Sequence, residues 1–280
     1  MKRSVFVLFC LSMLTISFVA CNDESASKAA TSDTLALPPA IKEEPVTYTD
    51  NGITLHGFVA YDSNSHQQRP AVVIVHEWWG LNDYSKYRAR ELARLGYIAM
   101  ALDLYGDGKT ADNPDSAMKF ALPFYQNPSL AQSRVEAGIR TICENPLTDT
   151  GKIAAIGYCF GGAMVLNVAR LGSNLKGVVS FHGDLIGAPP RKDLLHAKIL
   201  VCNGEADTYI SKPDIALFKK QMDSIGADYT FTDYPGAIHS FTNPNSTKMG
   251  EKFKLAIAYQ PAADTASWKD MQAFFKRVLK

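Results

Sequence analysis

Lys152-Ile153-Ala154-Ala155-Ile156-Gly157-Tyr158-Cys159-Phe160-Gly161-Gly162 begins as a compact apolar run and passes through glycines into a helix-like segment, Gly162 to Leu171. When a strand turns that sharply into a helix, the residue at the corner is held in a strained backbone conformation. Only small residues then fit two positions away on either side. Gly157 and Gly161 meet that requirement around Cys159. The helix that follows directs its free N–H groups and positive end at the cysteine, which favours a thiolate and a developing oxyanion. Taken alone, the segment also fits a small buried cysteine in a glycine turn. Its companions along the chain separate the two readings.

Outward from this corner, short β-rich runs alternate with helix-like ones. Strands are expected at Val46 to Thr49, Ile53 to Tyr61, Ala71 to His76, Tyr97 to Leu102, Lys152 to Gly157, Gly177 to His182, Lys198 to Asn203 and Asp228 to Tyr234. Helices are expected around Tyr84 to Leu95, Leu130 to Glu144, Gly162 to Leu171, Lys212 to Ile225 and Thr265 to Leu279. The alternation predicts an α/β fold, a mainly parallel central sheet with helices on both faces. Asp50-Asn51-Gly52 predicts an antiparallel hairpin at one edge. The long connection from Tyr105 to Asn127 is left without assigned elements and is expected to shape the pocket.

A nucleophile needs a base, and the base needs an orienting acid; in this topology they follow the nucleophile as acid, then histidine. Asp207 lies in Asn203-Gly204-Glu205-Ala206-Asp207 after one strand, and His239 in Tyr234-Pro235-Gly236-Ala237-Ile238-His239-Ser240-Phe241 after the last. His239 would take the proton from Cys159 and Asp207 would fix the imidazole tautomer. Glu205 and Asp184 are the rival acids. His76-Glu77-Trp78-Trp79-Gly80, at the end of an early strand, is where a second oxyanion donor belongs. The backbone N–H groups of Trp78 and Phe160 are the expected pair, and Glu77, a carboxylate beside tryptophans, needs a partner or a task. Trp79, Tyr105 and Phe241 are the expected pocket-lining side chains.

Together with Asp103-Leu104-Tyr105, these motifs make the chain resemble the dienelactone hydrolase family of the α/β-hydrolase fold, over roughly Val46 to Lys280. The resemblance implies a Cys-His-Asp triad at Cys159, His239 and Asp207. It also implies that Glu77 touches the cysteine in the resting enzyme, where like-charge repulsion would keep the thiol neutral. The family's substrate-binding arginines are missing: their neighbourhoods read Gly106-Asp107-Gly108 and Thr242-Asn243-Pro244. Neither Asp nor Asn replaces a bidentate guanidinium, and Asp107 would repel an anion, so dienelactone itself is not the expected substrate. The expected activity is hydrolysis of a small-molecule carboxylic ester or lactone through an acyl-thioenzyme, without cofactor or metal. Acyl transfer, or ligand binding without catalysis on the same fold, fits the same residues.

With 280 residues and 46% hydrophobic content the chain can build one sizeable core, and a formal net charge of +1 gives no nucleic-acid footprint. At the N-terminus, Lys2 and Arg3 precede an apolar run to Ala20, an export signal rather than a membrane span. Phe18-Val19-Ala20-Cys21 resembles a bacterial lipobox, which makes residues 1–20 the signal, Cys21 the lipidated mature N-terminus and residues 21–44 a polar tether to a domain at 45–280. The expected protein is periplasmic or anchored to a membrane by lipid alone, and monomeric. Cys143, Cys159 and Cys202 remain in the body without metal-ligand spacing, and at least one must stay unpaired.

Overall fold

The computed structural model describes residues Pro38–Lys280; the signal segment, Cys21 and the greater part of the expected tether lie outside the described residues. The strands are β1 (Ile41–Asp50), β2 (Ile53–Asp62), β3 (Arg69–Val75), β4 (Ile98–Leu102), β5 (Thr148–Tyr158), β6 (Gly177–Phe181), β7 (Lys198–Gly204) and β8 (Tyr229–Tyr234). They form an eight-stranded sheet in the order β1-β2-β4-β3-β5-β6-β7-β8. β1 and β2 pair antiparallel, as do β2 and β4, and every pair from β4 to β8 is parallel. The hairpin turn is Asn51-Gly52, with φ of 49° and 78°, the left-handed pair that matches the twist of the flanking strands.

The helices are α1 (Asp83–Arg94), α2 (Pro114–Gln126), α3 (Pro128–Cys143), α4 (Phe160–Arg170), α5 (Lys212–Ile225), α6 (Ser246–Phe253) and α7 (Pro261–Val278). Alternation along the central strands divides the core between the faces. Val73, Val75 and Met100 pack with α2, α3, α4 and α5, whereas Val72, Ile74 and Ala101 pack with α1 and α7. This is the α/β-hydrolase architecture expected from the sequence. No helix among the described residues is long and apolar enough to cross a membrane.

The sheet begins earlier than expected: Ile41 pairs with Asp62 and Glu44 with Val59, so residues 41–44 belong to the domain and not to the tether. The unassigned connection contains α2, capped by Asn113, whose side chain accepts from the Ser116 N–H at 2.9 Å. Its buried residues Ala117, Ala121 and Phe124 recur at helical spacing. α6 is likewise unanticipated, being a short polar helix with only Ser246 and Gly250 buried.

The corner between β5 and α4 is as tight as the glycine pattern demands. Cys159 has φ of 53° and ψ of −117°. A Cβ on Gly157 would stand 2.0 Å from the Gly161 carbonyl oxygen, and one on Gly161 would stand 2.3 Å from that of Val75. Gly161→Ala is therefore expected to cost about 3 kcal/mol or more, since the obstacle is backbone that cannot rotate away. Gly52→Ala, with nothing within 4 Å and only a positive φ to offend, should cost about 1–2 kcal/mol. Urea melts of both variants give the order; a milder loss at 161 than at 52 would refute it.

Candidate active site

Three loops at the carboxyl ends of the parallel strands bring the chemistry together. Cys159 caps α4 at the end of β5. Asp207 follows β7, where Ala206 N–H donates to the Ala237 carbonyl at 2.9 Å, and His239 follows β8. The His239 segment is held from its far side by Ala258 N–H, which donates to the His239 carbonyl at 3.2 Å, and Gln260 N–H, which donates to that of Phe241 at 3.0 Å.

Cys159 Sγ lies 3.1 Å from His239 Nε2, and His239 Nδ1 lies 2.8 Å from Asp207 Oδ2. The other Asp207 oxygen accepts from Tyr209 N–H at 2.8 Å, so the carboxylate is fixed at both ends. Burial works against a charged imidazole at His239. The charge on Cys159 and the hydrogen bond to Asp207 outweigh it and hold the ring well above the usual histidine range. That direction favours the imidazolium form of His239. The rival acids are placed elsewhere: Glu205 accepts from Gly236 N–H at 3.2 Å and Asp184 from Ile186 N–H at 2.9 Å.

His182 sits under Cys159. Its Nδ1 accepts from Cys159 N–H at 3.1 Å, and its other ring nitrogen lies 2.8 Å from Thr242 Oγ1. Burial, with His239 beside it, pushes His182 well below the usual range, so it is a neutral structural histidine. Cys143 and Cys202 are free thiols; burial pushes Cys202 up to about 12. Among the described residues no group of three or more His, Cys, Asp or Glu is placed to hold a metal ion.

Glu77 is not where the family resemblance puts it. Its carboxyl accepts from Ser240 Oγ–H and, at 2.6 Å, from Asn243 Nδ2–H, while Cys159 pairs with His239 instead. The cause lies in the sequence: Asn243 stands in the His239 neighbourhood where the resemblance called for arginine, and its amide takes the buried carboxyl. Burial also pushes the Glu77 carboxyl above the usual range, against those hydrogen bonds.

A cavity of about 230 Å³ opens over the triad. Glu77, Trp78, Trp79, Cys159, His239 and Ser240 form its floor, with Met118 and Tyr125 of α2, Asp184, Tyr209, Ile210, Leu255 and Ile257 around them. Of the expected lining residues only Trp79 lines it. Phe241 is wholly buried against Tyr234 and His182, the chain having turned at Ser240, whose φ is 61°. Tyr105 lies behind the floor, its hydroxyl donating to the Trp78 carbonyl at 2.9 Å. Asp107 is exposed and paired with Lys109 at 2.9 Å, so it does not repel ligands from within the site. The aliphatic and tyrosine wall was not foreseen; only helical spacing at Met118 and Tyr125, seven residues or about two turns apart, could have pointed to it. Among the described residues no lysine or arginine lines the cavity. Among the described residues the Trp78 and Phe160 N–H groups have no protein acceptor.

Residues 55–279 match the family described as the Dienelactone hydrolase family. Among solved structures, a dienelactone hydrolase-like promiscuous phosphotriesterase from metagenomic libraries superposes with a TM-score of 0.80 at 31% identity, over 86% of this chain and 100% of that one. A protein described as m3DLH superposes with a TM-score of 0.81 at 32% identity, over the same shares. Protein usf of Aquifex pyrophilus is 26% identical over 239 residues, 84% of this chain and 98% of its own.

The folded protein binds the Glu77 proton more tightly than the unfolded chain does. The stability this confers is complete below the ordinary carboxylate range and is lost as pH rises through the folded value. Glu77→Gln keeps the shape and can hydrogen-bond both partners without ionising. It should therefore exceed the parent in stability at pH ~8, with the gap closing towards pH ~5. Denaturant melts across that window test this, and a gap that widens on acidification would contradict it.

Proposed function

The chain belongs to the dienelactone hydrolase family and is a hydrolase of esters or lactones, and from that premise we propose that Cys159 is its nucleophile, with His239 and Asp207 completing a triad that works through an acyl-thioenzyme. The observation that carries the reading is the continuous chain from Cys159 Sγ to His239 Nε2 at 3.1 Å and from His239 Nδ1 to Asp207 at 2.8 Å. The thiolate attacks the acyl carbon, and the carbonyl oxygen becomes an oxyanion accepting from the N–H groups of Trp78 and Phe160. As the tetrahedral adduct collapses, His239 gives its proton to the departing alkoxide, leaving a thioester on Cys159. His239 then takes a proton from water, hydroxide adds to the thioester carbonyl, and the acid leaves as the thiolate returns. Asp207 holds the imidazole in the tautomer this needs. Glu77 serves as a neutral wall that ties the residue before Trp78 to the residue after His239.

The substrate is one whose acyl portion carries no negative charge, because the walls are mostly apolar or aromatic, Asp184 among them is acidic, and among the described residues no guanidinium lines the cavity. Uncharged phosphotriesters, the substrates named for the metagenomic relative, satisfy the same description. Residues 1–20 are proposed to direct export, with lipid on Cys21; metabolic labelling with radioactive palmitate, lost in Cys21→Ser, would test it.

Kinetics on a panel of p-nitrophenyl acyl esters, lactones and a p-nitrophenyl dialkyl phosphate decide the rest. The parent should hydrolyse uncharged acyl esters at least about 10-fold faster in kcat/KM than hemisuccinate-type esters of equal length. Cys159→Ala should lower kcat by about 10⁴-fold or more, and a thioester on Cys159 should be trapped by acid quench. Equal activity in parent and Cys159→Ala would reject the nucleophile. A preference for the anionic acyl group would reject the substrate class.

A further inference from the structure

Both peptide units flanking Trp78 are pinned by side chains that lie outside the cavity. On one side, Leu104 N–H donates to His76 Nε2 at 3.3 Å. That leaves the ring proton on Nδ1, which donates to the Glu77 carbonyl. His76 is fully buried, and burial holds it down to about 4, so the ring remains neutral and its tautomer fixed. On the other side, Tyr105 O–H donates to the Trp78 carbonyl at 2.9 Å. The described residues contain no cis peptide, and in a trans unit C=O and N–H point opposite ways. A Glu77 carbonyl turned into His76 therefore aims the Trp78 N–H away from His76, on the side where Trp78 and Cys159 line the cavity.

The geometry points to His76 and Tyr105 as positioning residues that lock the Trp78 N–H as an oxyanion donor. The inference rests on the cysteine-hydrolase reading above and adds two residues that never touch substrate. It accounts for the whole Asp103-Leu104-Tyr105 motif. The Asp103 carboxylate accepts from the N–H groups of His56, Gly106 and Gly108 at 3.1, 2.9 and 2.9 Å, fixing the turn beyond Tyr105. Leu104 sets the His76 tautomer, and Tyr105 pins Trp78. His76 also stacks on Phe160 at 5.8 Å and Tyr105 lies tilted against it at 5.5 Å between centroids, so one aromatic cluster bears on both donor residues. Were the Glu77–Trp78 unit to rotate, a carbonyl would replace the N–H and repel the oxyanion. Pinning both flanking carbonyls removes that freedom before substrate arrives.

The test separates oxyanion stabilisation from thiolate formation. Hydrolysis of a p-nitrophenyl acyl ester needs both; alkylation of Cys159 by iodoacetamide displaces iodide at a saturated carbon and needs only the thiolate. In the full chain, Tyr105→Phe should lower kcat by about 10- to 100-fold, since removing a whole oxyanion donor costs about 10²–10³. KM should stay within about 2-fold, and the alkylation rate and its pH profile should match the parent's. His76→Asn, which returns an amide donor near the Nδ1 position, should retain more kcat than His76→Gln, which places its amide nearer Nε2. Parental kcat in Tyr105→Phe, or hydrolysis and alkylation falling together, would overturn the inference while leaving the nucleophile intact. If alkylation of the parent leaves hydrolysis undiminished, the cysteine reading itself fails and this inference with it.

Discussion

A backbone contact with no side chain between its partners joins the halves of the site: Gly161, in the first turn of α4, lies against the carbonyls of Val75 and His76 at the end of β3. Because that gap admits not even a methyl group, the start of α4 and the end of β3 are locked at one separation. Cys159 and Phe160 on one side, and Trp78 on the other, inherit their spacing from it. The strained φ at Cys159 is the local cost, of order 1–3 kcal/mol, and the fully buried α4 beneath it offsets that cost. A thiol and two converging N–H groups thus stand on packed elements and not on mobile loops.

The third participant, the His239 loop, is attached to this frame by polar contacts. Glu77 precedes Trp78 and Ser240 follows His239, so their hydrogen bond spans from the oxyanion side of the site to the base. His182 ties the Cys159 N–H to Thr242 on the same loop. Both links run through buried groups that burial pushes towards their neutral forms, the Glu77 carboxyl up and the His182 ring down, which lessens the cost of hiding a charge.

The fold and the nearness of Cys159, Asp207 and His239 were legible because both obey local rules. The sheet reads from continuous apolar runs such as Val72 to Val75, and the corner reads from glycines at fixed distance from Cys159. Asp207 and His239 follow from strand order. What escaped depends on where side chains point after the chain leaves regular structure. Phe241 looked like a pocket residue by proximity to His239, yet it enters the core. Tyr105 looked like one by aromatic character, yet its hydroxyl belongs to the backbone of Trp78. The wall contributed by α2 was hidden because its apolar positions lie within a connection whose helix signal, Asn113-Pro114, is short. The first strand was clipped at Val46 because Lys42, Glu43 and Glu44 are charged, although an edge strand tolerates charge on its open side.

Asn243 shows how one residue sets both charge and conformation here. An arginine in this part of the His239 loop could offer a guanidinium to the ligand and a positive charge to Glu77, stabilising the ionised carboxylate. Asparagine does neither. Its amide donates to Glu77, and burial still pushes the carboxyl above the usual range. With no guanidinium there, Glu77 is held by the neutral groups of Ser240 and Asn243, and His239 is the partner that Cys159 meets.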